Sequence, residues 1–339
     1  MQRDTLGVGI IGMGRAGMGH ARNFAMGIQG ARLVAVAEPD AATRAKACAE
    51  LPGVASYANF EELLANPDVQ AVVIVTPTVY HRDIAVRAAQ AGKHIFCEKP
   101  MAMNAVECQA MIDAATAAQV KLQIGFMRRF DRSFIEAKAR IDRGDIGQVV
   151  QVKSLTHGPS TPQPWMYDIR KSNGPLAEVN SHDIDTVRWF TGSDVVSVYA
   201  LGGNYRCPDA RQAYPDFYDN VLVLAQFQNN MQGMIGGAQG VKYGYDARVE
   251  ILGTEGILFV GGLADTTIVS CTSAGVSRPI VKSWTNLFLD AYRGEAESFV
   301  QCILQNTETR VTGIDGLRAV QIVNAGNESL RTAQPVRIL

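Results

Sequence analysis

The run Leu6-Gly7-Val8-Gly9-Ile10-Ile11, followed at once by Gly12-Met13-Gly14-Arg15-Ala16-Gly17, constrains this chain more than any other segment. Unbroken by polar residues, the apolar run reads as a strand buried on both faces. Gly12 permits a tight turn, Gly14 lets a backbone approach a pyrophosphate, and Gly17 lets the following helix pack close to the strand. The next strand, Ala31 to Ala37, ends at Glu38, about 20 residues beyond Gly17, the spacing at which a carboxylate holds adenosine ribose hydroxyls. Gly12, Met13, Gly14, Arg15, Ala16, Gly17 and Glu38 are therefore expected to bind a dinucleotide. A carboxylate at Glu38 repels a 2′-phosphate, so the cofactor is read as NAD; NADP is less favoured, with Arg15 and Arg44 the residues that would welcome its phosphate.

The strand and helix alternation continues to residue 125. A helix is expected from Ala41 to Glu50, a short amphipathic turn at Phe60 to Leu64, and a central strand from Val69 to Val75 that ends in Thr76-Pro77. His81 begins the next helix, and Thr76, Pro77 and His81 are expected to line the cofactor crevice. The strand Lys93-His94-Ile95-Phe96 then delivers Cys97-Glu98-Lys99-Pro100, where proline stops the pattern. A lysine at the C-terminal edge of a parallel sheet faces the ligand crevice, so Lys99 should face the dinucleotide. Residues 1–125 thus read as an α/β Rossmann domain, a doubly wound parallel sheet.

Beyond Gly125 the rhythm changes. A charged helix from Arg129 to Arg143 closes at Gly144, and strand-like runs then come more often: Val149 to Thr156, Val195 to Leu201, Asn220 to Phe227, Met231 to Ala238, Arg248 to Leu252 and Ile257 to Val260. One helix, Ala177 to Phe190, interrupts them, and two more, Leu287 to Leu304 and Asp315 to Arg331, finish the chain. Strands in succession imply an α+β domain over 126–339, with a mostly antiparallel sheet and a last helix able to pack back on the first domain.

With 339 residues, 47% of them hydrophobic, the chain can fill two cores. The formal net charge of −1 gives no broad attraction to nucleic acid or anionic membrane, so a small neutral ligand is the expected partner. No apolar run approaches a membrane span and no separate signal peptide precedes the first strand, so the expected location is the cytoplasm. The six cysteines lack CxxC spacing and no HExxH occurs, so reduced core thiols and no catalytic metal are expected.

Oxidising a secondary alcohol needs a hydride acceptor and a base for the hydroxyl proton. Glu178 and His182 are four residues apart, a spacing that puts both on one face of a helix, where the carboxylate fixes the imidazole tautomer. Lys99 then supplies positive charge beside the developing alkoxide. The plain alternative is a structural acid–histidine pair. Arg128 and Arg129 either steer substrate or form a solvated pair at a domain junction. Tyr245 offers an aromatic face to a polyol ring. In the loop Gly158 to Tyr167, with three prolines, Trp165 offers another and is expected to set selectivity. His20 and His94 read as structural.

Taken together, Gly12 to Gly17, Thr76-Pro77 with His81, Ala91-Gly92-Lys93-His94 leading to Glu98-Lys99-Pro100, Gly125 to Asp131, Ser181-His182-Asp183-Ile184-Asp185, Tyr243-Gly244-Tyr245-Asp246, Gly253-Thr254-Glu255-Gly256 and Thr312 to Gly316 resemble the Gfo/Idh/MocA oxidoreductases, the glucose-fructose oxidoreductase and inositol dehydrogenase family. The resemblance covers nearly the whole length and is nearest to inositol 2-dehydrogenases. It implies NAD-dependent oxidation of a ring hydroxyl of an inositol or sugar. It implies a homotetramer built on the outer sheet surface. It also implies that Lys99 and His182 carry the proton chemistry and that His157, otherwise a solvent-facing loop residue, contacts substrate. With the residue reading, the cofactor contacts extend to Glu98 and Lys99 and the substrate contacts to Lys99, Arg129, His157, Trp165, Glu178, His182 and Tyr245. The acid four residues before the histidine is usually aspartate in the family, whereas here it is Glu178. Reduction of a keto-sugar by the same residues, or a regulatory dinucleotide sensor without turnover, are the alternatives. The presence of both Lys99 and His182 argues against the sensor.

Overall fold

Six strands, β1 (Leu6–Ile11), β2 (Ala31–Ala37), β3 (Ala55–Tyr57), β4 (Ala71–Ile74), β5 (His94–Glu98) and β6 (Leu122–Gly125), pair in parallel in the order β3-β2-β1-β4-β5-β6. The helices α1 (Arg15–Ala25), α2 (Ala41–Glu50), α3 (Phe60–Ala65), α4 (His81–Gln90) and α5 (Ala105–Ala117) connect them. Their starts follow from short polar side chains: Asp40, Asn59 and Asn104 accept the backbone N–H of Thr43, Glu62 and Glu107 at the first turns of α2, α3 and α5. β1 is buried along its whole length, as a central strand covered on both faces must be. The strand order reverses between β1 and β4, which sets the ligand crevice of such a sheet beyond their C-terminal ends.

The computed structural model describes residues 5–338 and divides the chain into two compact units. The first runs to Met127 and takes in Asp290–Val320; the second comprises Arg128–Leu289 with the residues from Gln321 onward. The sequence reading places 126–339 in the second domain with its last helix able to pack back on the first; in the structure Asp290–Val320 groups with the first. The reason is core packing: Phe299 lies 5.7 Å from Phe96 of β5, and Val300 joins the cluster of Val8, Ile10, Phe24 and Val36. All of these are buried to 2% exposure or less.

In the second unit the elements are α6 (Arg132–Arg143), β7 (Val149–Gly158), α7 (Ile169–Ser172), α8 (Gly174–Glu178), α9 (Ser181–Thr191), β8 (Val195–Gly203), α10 (Ala210–Ala213), β9 (Asn220–Phe227), β10 (Gln232–Gln239), β11 (Asp246–Gly253) and β12 (Ile257–Val260). A small hairpin, β13 (Ser270–Thr272) and β14 (Gly275–Ser277), and α11 (Trp284–Leu287) follow. Then come α12 (Leu289–Gln305) and the start of α13 (Gly313–Thr332), which from Asp290 to Val320 belong to the first unit, and, back in the second, the rest of α13 and β15 (Val336–Arg337). Seven strands form one sheet in the order β12-β11-β7-β10-β9-β8-β15, antiparallel except for the β7–β10 pair.

Strand alternation gives this second sheet two unlike faces. On β9, Val221, Val223 and Ala225 are buried while Leu222, Leu224 and Gln226 are exposed. The buried side packs under α8 and α9; the other carries exposed Leu201, Leu222, Leu224, Leu252, Ile257 and Phe259.

Two helices differ from their expected extents. Where the sequence predicts a helix from Arg129, residues Met127–Phe130 form a 3-10 turn, because Asp131 caps a new start by accepting the N–H groups of Ser133 and Phe134. The expected helix from Ala177 to Phe190 breaks at Val179 and Asn180, where the Asn180 amide turns to Gly236 O at 3.0 Å and to Asp183 at 2.8 Å. Among the described residues no helix is long and apolar enough to cross a membrane.

Candidate functional site

In the first unit the turn after β1 has the shape that a phosphate needs. Gly12 adopts φ +95°, and a Cβ there would stand 2.7 Å from Val75 O; a Cβ on Gly17 would stand 1.9 Å from Gly12 O. Only glycine fits either place. Gly14 faces open space and precedes the N-terminus of α1 without a side-chain cap, leaving backbone N–H groups for an anion. Arg15 is exposed, Ala16 is half-buried and Met13 is buried. The Met13 N–H donates to Glu38 Oε2 at 2.8 Å, and Glu38 Oε1 accepts from Asp40 N at 3.0 Å. Arg44 donates to the carbonyl oxygen of Glu38 at 2.6 Å, so its guanidinium is engaged on backbone. These residues fit NAD: a glycine cradle, a helix terminus and a carboxylate at the end of β2.

Nearby in the same unit, His81 is buried, with Nε2 2.8 Å from Thr76 O and Nδ1 2.8 Å from Pro100 O. Burial pushes its pKa down, with the two carbonyls opposing, and a neutral ring has a single N–H to donate to one of them. The Thr76 hydroxyl is buried without a hydrogen-bond partner among the described residues, a polar group available to a ligand. Pro77 leads into the 3-10 turn Thr78–Tyr80.

Lys99 follows β5 directly and is half-buried. Its N–H donates to Glu98 Oε2 at 3.1 Å, while Glu98 Oε1 accepts from His20 Nε2 at 2.8 Å. Glu98 is buried, yet the hydrogen bond and charge of His20, with Lys99 beyond, hold its carboxyl below the usual glutamate range. Among the described residues one grouping, His20, Glu98 and Glu295, has ligand-type atoms within 4.8 Å of one another. The direct His20–Glu98 hydrogen bond is shorter than the roughly 3.3 Å between two ligands of one tetrahedral ion, so this is the geometry of a hydrogen-bonded pair. The motif reading gave no role to this grouping. In sequence Glu295 stands among Arg293, Glu297 and Ser298, a polar run that does not mark it out as buried.

In the second unit, Glu178 ends α8 and His182 lies in the first turn of α9, with the break at Val179 and Asn180 between them. The four-residue spacing is therefore not that of one continuous helix, which corrects the shared-face expectation. His182 is buried to 6% exposure, and Glu178 is half-buried.

Asp183, beside His182, is anchored from several sides. It accepts from Arg128 Nη1 at 2.8 Å, Ser154 Oγ at 2.6 Å and Asn180 Nδ2 at 2.8 Å. Arg128 also donates to Ser154 and Thr156 on β7, and its guanidinium lies over the rings of Phe134 and Phe288. Arg129 forms a bidentate pair with Asp185, at 2.9 and 2.6 Å, and lies over Trp189. The solvated pair considered for these arginines is not what forms, since both are buried and ion-paired within this unit. Tyr245 is buried beside Phe288, and burial, with the Arg128 charge opposing, leaves its hydroxyl pKa raised to about 12.

At the end of β7, His157 Nδ1 stands 2.6 Å from Tyr243 Oη, which donates to Asp246 at 3.0 Å; Asp246 also accepts two bonds from Arg248. Burial lowers the His157 pKa. Tyr243 was not a candidate from sequence, although it stands three residues before Asp246. Trp165 lies on the 3-10 turn Pro164–Tyr167 at 37% exposure, while Tyr167 packs on Phe217 at 4.9 Å.

A parallel sheet with this glycine turn and Glu38, joined in sequence to an α+β unit with one open sheet face, is the build of a nicotinamide-dependent oxidoreductase. Residues 6–126 match the family model of oxidoreductases with an NAD-binding Rossmann fold, and residues 134–259 match the GFO/IDH/MocA C-terminal domain. The chain belongs to the GFO/IDH/MocA oxidoreductase family. It is 33% identical to scyllo-inositol 2-dehydrogenase (NAD(+)) of Bacillus subtilis, over 97% of this chain and 95% of that protein. It is 34% identical to inositol 2-dehydrogenase of Rhizobium meliloti, over 98% and 99%. Among solved structures, scyllo-inositol dehydrogenase from Lactobacillus casei with bound NAD(H) and scyllo-inositol superposes with a TM-score of 0.90 at 29% identity, covering 98% of this chain and 99% of that one.

Proposed function

We propose that the protein is an NAD-dependent dehydrogenase that oxidises a secondary ring hydroxyl of a cyclic polyol, an inositol or a closely related sugar. The observation that carries this reading is the match to inositol 2-dehydrogenases along almost the full length of each chain. Glu38, at the end of β2 and bonded to the glycine turn, supports NAD. Bound NAD supplies the hydride acceptor.

The remaining chemistry falls to side chains. The Lys99 ammonium stabilises the developing alkoxide and lowers the effective pKa of the alcohol. His182 takes the hydroxyl proton, and Glu178 orients it or contacts substrate. Asp183 and Arg128 anchor the start of α9 on β7, which limits the movement available to the adjacent His182. Trp165, exposed on its 3-10 turn, supplies a flat face to the ring. His157 and Tyr243 offer hydroxyl-binding groups. The chain assembles as a homotetramer; the row of exposed apolar side chains on the second sheet supports this.

The test is a screen of purified protein with NAD or NADP against inositols, aldoses and their derivatives at mildly alkaline pH, following absorbance of the reduced cofactor. Turnover with NAD and one stereochemical group of polyols is the expected result. No turnover, despite NAD binding by calorimetry, would overturn the oxidative reading.

A further inference from the structure

Glu295 is fully buried on α12, and among the described residues neither carboxylate oxygen finds a hydrogen-bond partner. It lies in the pocket of the first unit that holds the His20–Glu98 pair, within 4.8 Å of both. The walls are tight. Phe96 and Tyr292 meet the His20 ring edge-on at 5.2 and 5.7 Å, and a Cβ on Gly125 would stand 3.0 Å from the Glu98 carboxyl carbon. Gln123 donates to the Glu295 backbone oxygen at 3.0 Å, joining α12 to β6 beside the pocket.

The two glutamates are in unequal situations. Glu98 has two N–H donors, His20 Nε2 on one oxygen and the Lys99 backbone on the other. Glu295 has none. A second carboxylate charge here would be uncompensated in a buried site and would repel Glu98. Burial, and then the charge of Glu98, push the Glu295 pKa well above its ordinary value.

We infer that Glu295 is a positioning residue held as a neutral carboxylic acid, and that it acts through Glu98 to fix the backbone from which Lys99 projects. A neutral acid fills the space beside Glu98 without competing for His20 or pushing the Glu98 carboxylate off the Lys99 N–H. This inference rests on the dehydrogenase reading for its effect on turnover, but not for the protonation state of Glu295.

The experiment compares wild type with Glu295→Gln and Glu295→Ala. The neutral isostere should keep kcat within about twofold, whereas Glu295→Ala should lower kcat about tenfold with NAD affinity unchanged, because the Lys99 backbone loses its support. Infrared difference spectra between wild type and Glu295→Gln at neutral pH should show a protonated-carboxyl band belonging to Glu295. This arm needs no turnover and no alanine variant. Absence of the band, loss in Glu295→Gln equal to that in Glu295→Ala, wild-type kcat in Glu295→Ala, or a stoichiometric metal that the Gln variant loses would each overturn the inference. Absence of wild-type turnover with every polyol would instead count against the proposed function, leaving the infrared result to stand alone.

Discussion

Glu38 Oε2 accepts the backbone N–H of Met13 at 2.8 Å, so the carboxylate at the end of β2 is bonded directly to the glycine turn after β1. The group expected to recognise the ribose also shapes the loop that receives the pyrophosphate. Glu38→Ala should raise the KM for NAD by about ten- to hundredfold, the worth of a charge-assisted hydrogen bond, and narrow the preference against NADP. Steady-state kinetics with both cofactors provide the check; an unchanged KM ratio would remove Glu38 from the ribose site.

Lys99→Ala and His182→Ala should each lower kcat by about a hundredfold or more, the usual scale for losing a proton-transfer group, while calorimetry shows NAD affinity largely intact. Near-normal turnover in either variant would sink its assigned role.

Asp183→Ala leaves Arg128 buried and unpaired, so it should destabilise the protein by about 3–5 kcal/mol in urea unfolding. The paired replacement Arg128→Met with Asp183→Leu should lose less, because no charge is left stranded. Equal losses in both variants would show that shape, rather than charge, dominates there.

Trp165→Ala should change the order in which polyols are preferred, since its side chain is exposed on the 3-10 turn. If kcat/KM falls by the same factor for every substrate, the loop does not select among them.

Leu222→Asp combined with Leu224→Asp places charge on the open sheet face without touching its buried side. Sedimentation should then show a smaller assembly than wild type; an unchanged species would move the subunit contact elsewhere.

The first sheet and its glycine turn were legible because their signals are local: an apolar strand, three glycines and a carboxylate within 33 residues of chain. What could not be read were pairings made at a distance. Arg129 pairs with Asp185, 56 residues later. His20 meets Glu98 across 78 residues. The break between Glu178 and His182 has no glycine or proline to announce it. It follows from what the Asn180 amide finds on β10 and α9.

The membership of Asp290–Val320 in the first unit bears on how the chain is made. A nascent chain that has emerged as far as Gly125 already carries every strand of the parallel sheet, but not Glu295, Phe299 or Val300. The ribosome must deliver nearly the whole of the second sheet before those residues arrive. Part of the first core therefore waits, in the order of synthesis, on a segment encoded after its neighbour. Cutting the gene at the end of β6 would yield a sheet with one flank missing its cover, and Phe96 turned toward water.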